Sequence, residues 1–97
     1  MRKIEEEMLQ AIKERRTWAK DNTRVEFARG ENGATWWCDV YLHGNHIAKF
    51  DEMTWRPTVN VNTLARWPTV TTKSRLRALG ANIVTKRGTV YLNGEAI

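Results

Sequence analysis

Short glycine-bearing turns set between runs of β-branched and aromatic residues constrain this chain most. Each one makes the strand that enters it double back on the strand that leaves it. They occur at His43-Gly44, at Arg87-Gly88 and at Asn93-Gly94, and Gly30-Glu31-Asn32-Gly33 supplies a longer turn of the same chemistry. Two of these turns sit inside a repeated pattern, V-Y-L-x-G-x-x-I. It reads Val40-Tyr41-Leu42-His43-Gly44-Asn45-His46-Ile47 and again Val90-Tyr91-Leu92-Asn93-Gly94-Glu95-Ala96-Ile97. Two copies do not make a repeat array. The common cause is hairpin chemistry, since tight turns require a positive φ that Asn-Gly and His-Gly tolerate.

The strands follow from alternation. Thr23, Val25 and Phe27 alternate with Arg24 and Glu26, and Ala34 to Leu42 is rich in aromatic and β-branched residues. In that second strand Trp36, Cys38, Val40 and Leu42 share one face, the predicted core layer. Trp37, Asp39 and Tyr41 share the other, which makes Trp37 and Tyr41 an exposed or helix-covered aromatic pair. His46 to Phe50 reads as a third strand, and a fourth falls within Thr54 to Leu64, where Pro57 favours an edge. Ile83 to Thr85 and Thr89 to Leu92 form a last hairpin.

Two segments read as helices. From Arg2 to about Arg16, Ile4, Met8, Ala11 and Ile12 lie on one face. Glu5, Glu6 and Glu7 stand near the positive end of its dipole and Lys13, Arg15 and Arg16 near the negative end, so the glutamates are assigned no further role. A short second helix runs from about Thr72 to Leu79, closed by Gly80. The predicted fold is therefore α+β: an N-terminal amphipathic helix, an antiparallel sheet of about five or six strands, and a short helix near 72–79 between the fourth strand and the C-terminal hairpin.

Ninety-seven residues suit one domain spanning 1–97, because two would each be too small to bury a useful core. Five tryptophans and 41% hydrophobic residues argue for folding rather than disorder. The single Cys38 excludes an internal disulfide, and there is neither a long apolar run nor a basic-then-apolar N-terminus. These features predict a cytoplasmic protein that needs no membrane.

Charge supplies the functional clue. Between Met53 and Gly94 there is no aspartate or glutamate, yet those residues carry Arg56, Arg66, Lys73, Arg75, Arg77, Lys86 and Arg87. A set of cations with no internal counter-charge gives a positive field, and nucleic acid is the commonest polyanion it can meet. Within this stretch Thr71 or Thr72 can cap the second helix, placing first-turn amides, hydroxyls and the Lys73 and Arg75 cations together. With Leu76 and Leu79 facing the core, Lys73 and Arg77 share one flank and Arg75 points away from them. The neighbours Trp55-Arg56 and Arg66-Trp67 add aromatic faces that can stack on bases, Trp67 being the better contact and at least one of the two tryptophans belonging to the core. The candidate contacts are Arg66, Trp67, Thr72, Lys73, Arg75, Arg77, Lys86 and Arg87.

Other chemistry finds little support. Cys38, His43 and His46 do not follow a zinc spacing, and the histidines flank a tight turn. Ser74 is the only serine, and neither a nucleophile elbow nor a phosphate-binding glycine loop occurs. No catalytic residue, metal or cofactor is predicted.

Taken together, Arg2-Lys3-Ile4-Glu5, Val40 through Ala48, Trp67 and Thr71-Thr72-Lys73-Ser74-Arg75-Leu76 resemble a group of small bacteriophage proteins. Those begin R-K-I-E, carry V-Y-L-H-G-N-x-I-A mid-chain and run W-x-T-x-T-T-K-S-R-L. The resemblance implies a phage accessory protein acting in the cytoplasm of the bacterial host. At Arg77 and from Gly80 to Ile97 the chain departs from that pattern.

Two functions are carried forward. One is a non-enzymatic binder of DNA or RNA with low sequence specificity. The other is a module that docks on an acidic host protein and inhibits or redirects it, a meeting that a basic field would steer equally well. The strand edge left by the terminal hairpin can also pair with a second copy, giving a homodimer.

Overall fold

In the computed structural model, which describes residues 1–53 and 56–97, the N-terminal segment forms helix α1 (Lys3–Lys13). Its start is held by Glu5, whose Oε1 accepts a hydrogen bond from the Arg2 amide at 3.4 Å. It ends three residues before the sequence expectation. Arg15 takes a left-handed φ of +56°, while the Arg15 and Arg16 amides bond back to Ile12 and Ala11. Met8 and Ala11 are buried, and Leu9 and Ile12 pack against the same core.

Five antiparallel strands follow as a meander in chain order: β1 (Trp18–Lys20), β2 (Thr23–Arg29), β3 (Trp36–Leu42), β4 (Asn45–Asp51) and β5 (Thr58–Val59). The β3–β4 turn has positive φ at both His43 (+52°) and Gly44 (+79°), as its two-residue connection requires. On β3, Cys38, Val40 and Leu42 are buried, as alternation predicts. A register shift between Val40 and Tyr41 breaks the alternation on β4 and allows Ile47 and Ala48, adjacent in sequence, both to be buried. The predicted fourth strand shrinks to Thr58–Val59. Asn60 then accepts from the Thr63 amide at 3.2 Å and starts a helix, α2 (Val61–Arg66), that the sequence reading lacked. Thr54 and Trp55, part of that predicted strand, lie outside the described residues.

After α2 comes α3 (Val70–Ala78), then β6 (Ile83–Lys86), β7 (Thr89–Leu92) and β8 (Glu95–Ala96). Helix α3 begins two residues earlier than predicted because Thr69 is the cap, its hydroxyl accepting from the Thr72 amide at 3.1 Å. Gly80, at φ +109°, closes it as expected. The last three strands form a sheet of their own. Alternation predicted the pairing of β6 with β7 but neither β8 nor this separation, in which β6 packs its buried Ile83 beside α3 rather than joining the first sheet.

One apolar cluster joins these parts: Met8 of α1, Val25, Cys38, Val40, Leu42, Ile47 and Ala48 of the large sheet, Leu64 of α2, Leu76 and Leu79 of α3, and Ile83 of β6. The helices cover one face of the five-stranded sheet. Among the described residues no helix is long and apolar enough to cross a membrane.

Candidate nucleic-acid interface

Helix α3 carries three of the predicted cations, and packing sends them to different places. Thr72, Arg75, Leu76 and Leu79 recur at the three-to-four-residue spacing of a core face, and all four are buried. Arg75 is 3% exposed. Its Nη1 donates to Glu5 Oε2 at 2.7 Å, its Nε donates to Thr23 Oγ1 at 3.0 Å, and Ser74 Oγ donates to the same Glu5 oxygen at 2.6 Å. Arg75 does point away from Lys73 and Arg77, but into the protein, so it is not a surface phosphate contact. Thr72 is corrected in the same way, since its hydroxyl is buried against Thr69 at 2.9 Å and its amide is taken by the cap.

Glu5 is the residue that the sequence reading missed. Dipole compensation accounts for a glutamate in the first turn, yet Glu5 is 2% exposed and joins α1 to α3. Burial pushes its carboxyl up, but the Ser74 and Arg75 hydrogen bonds, the Arg2 amide and the Arg75 charge outweigh that and hold it below its ordinary value. A signal was present. Glu5, Met8 and Ile12 share the apolar spacing of α1, as Arg75 shares that of α3.

Lys73 and Arg77 do share one flank, and that flank faces β6. Lys73 Nζ donates to Thr85 Oγ1 at 2.7 Å, and Arg77 Nε donates to the Ile83 carbonyl at 2.8 Å. Both partners are neutral, so the two charges fasten the C-terminal sheet without being cancelled. Lys86 and Arg87 are exposed at the β6–β7 turn, where Arg87 and Gly88 have positive φ. A cleft bounded by Ala65, Pro68, Gly88 and Thr89 sets that turn beside the α2–α3 corner, which also carries Arg66. Arg66, Lys73, Lys86 and Arg87 thus come from elements that meet at one end of α3. Of the seven cations between Met53 and Gly94, Arg75 alone forms an ion pair among the described residues.

Trp67 is 42% exposed, with the Arg66 guanidinium 5.0 Å from its ring centroid. Trp55, the other predicted aromatic, lies outside the described residues. Beside Trp67 opens a pocket of about 250 Å³ between the β3–β4 turn and the α2–α3 corner.

The uncovered face of the large sheet has a different character. Arg24 lies over Tyr41 at 4.3 Å and Lys49 over Trp37 at 6.0 Å. His46 Nε2 is 2.9 Å from Asp39, and Asn60 Nδ2 is 3.2 Å from His46 Nδ1. Glu26, Asp39 and Asp51 balance the cations here, so this face does not extend the positive field. Cys38 faces the core and His46 the opposite side of the sheet, which separates two of the three groups weighed for metal binding. No group of three or more His, Cys, Asp or Glu suited to a metal occurs among the described residues.

No curated protein and no solved structure matches this chain. Residues 1–97 match the family model described as Kyanoviridae Gp96 protein, so the chain belongs to that bacteriophage family.

Proposed function

We propose that this member of the Kyanoviridae Gp96 protein family is a non-enzymatic phage accessory protein that binds nucleic acid. The contact surface is the α2–α3 corner and the β6–β7 turn, extended along the Lys73 and Arg77 flank of α3. Arg66, Lys73, Arg77, Lys86 and Arg87 contact phosphates, and Trp67 offers an aromatic face.

What supports the reading is that no acid among the described residues neutralises these five cations. Counterion release then supplies most of the affinity, and phosphate contacts of this kind carry little sequence information. The test is titration of a labelled oligonucleotide across a range of salt concentrations. Affinity falls steeply as salt rises, with a log–log slope of about −0.7 per neutralised phosphate for a single strand. Failure to bind at low ionic strength, or binding that salt does not weaken, would overturn the proposal. If nuclease-treated host lysate yields a partner protein while oligonucleotides do not bind, the same surface serves an acidic host protein instead.

A further inference from the structure

From the pocket beside Trp67, we infer that the nucleic acid held here is single-stranded and that one unstacked base inserts between Trp67 and the β3–β4 turn. This rests on the binding surface proposed above. Leu42 and Ile47, both at most 4% exposed, give the pocket an apolar floor. Its volume of about 250 Å³ lies just below the ~300–1,000 Å³ of pockets for drug-sized molecules, a size that suits one heterocycle.

The rim is polar. Thr69 is committed to capping α3, but the side chains of His43, Asn45 and Thr63 make no hydrogen bond among the described residues. They offer a hydroxyl, an amide and an imidazole to the edge of a base, beside an aromatic ring that can take its face. The guanidinium of Arg66 beside that ring provides a charge for the adjoining phosphate. Face stacking, edge hydrogen bonds and a neighbouring cation are what single-strand recognition uses, and a base paired in a duplex cannot enter such a pocket.

The test compares a single strand, as DNA and as RNA, with a strand of equal length built from abasic units and with the corresponding duplex, using the full chain. The intact single strand should bind about tenfold tighter than the abasic one, the scale of one stacked base. Trp67→Ala should remove that advantage, so that intact and abasic strands bind alike. Asn45→Ala should reduce the advantage in part, which guards against a folding defect in the tryptophan variant. Equal binding of intact and abasic strands, or a preference for duplex, overturns base insertion while electrostatic binding stands. Loss of binding to every strand at low salt overturns both.

Discussion

The Glu5 carboxylate and the Arg75 guanidinium meet at 2.7 Å with almost no access to solvent, across 70 residues of sequence. Through Ser74 and Thr23 the pair also engages α3 and the start of β2, so one contact orients the first helix, the third helix and the sheet. Desolvation costs both charges heavily, and a buried pair is therefore weak evidence for net stability. Its contribution is orientation. A displaced α3 would leave an acid and a base unpaired in the interior.

Breaking one side of that pair is predicted to cost about 3–5 kcal/mol, because the surviving charge stays buried. Glu5→Gln and Arg75→Met should each show this loss in urea denaturation. The double variant Glu5→Leu/Arg75→Met should lose much less than the sum. A single variant within the error of wild type would show that the contact orients nothing.

Acid should weaken the fold through the same carboxyl. Burial raises the Glu5 pKa, but the Ser74 and Arg75 hydrogen bonds, with the Arg2 amide and the Arg75 charge, outweigh that rise, so the folded value lies below the ordinary 4.5. The unfolded chain then binds the proton first. The contribution of Glu5 is fully present above about pH 4.5 and is lost as pH falls through the depressed folded value. Stability measured against pH should fall less steeply in that acid window for Glu5→Gln than for wild type.

The Cys38 thiol should be inert in the native state. Burial, and then the charge of Asp39, push its pKa up to about 11, and it is 1% exposed. A thiol reagent at pH 8 should modify it only as fast as the protein opens, with a rate that rises with urea. Rapid labelling of the folded chain would contradict the core assignment.

Exposed and buried cations should separate in binding experiments. Lys86→Gln with Arg87→Asn, the latter chosen because asparagine tolerates positive φ, should flatten the single-strand salt slope by about 1.4 and leave stability within about 0.5 kcal/mol. Arg75→Met should lower the folded fraction, with the slope unchanged for the molecules that remain folded. A direct effect of Arg75 on the slope would mean that it reaches the surface.

Removing the α3 cap with Thr69→Ala is predicted to cost about 1 kcal/mol, read from the urea midpoint. Thr71→Ala should cost less, since the cap is Thr69.

Local chemistry alone determined a good deal of this protein. Turns at His43-Gly44, Arg87-Gly88 and Asn93-Gly94, the core face of β3, the first helix and the glycine stop of α3 were readable because each depends on residues within a few positions of one another. Helix α2 was not, since its cap at Asn60 sits in a segment whose β-branched residues read equally well as strand. Packing decided the rest. Whether β6 extends the first sheet or begins a second depends on where α3 lies, and whether Arg75 meets solvent or Glu5 depends on a helix that carries this glutamate 70 residues earlier. Periodicity records which side of an element faces inward. Only the assembled core determines what that side touches, because a buried charge must find its counter-charge wherever the fold brings one within reach.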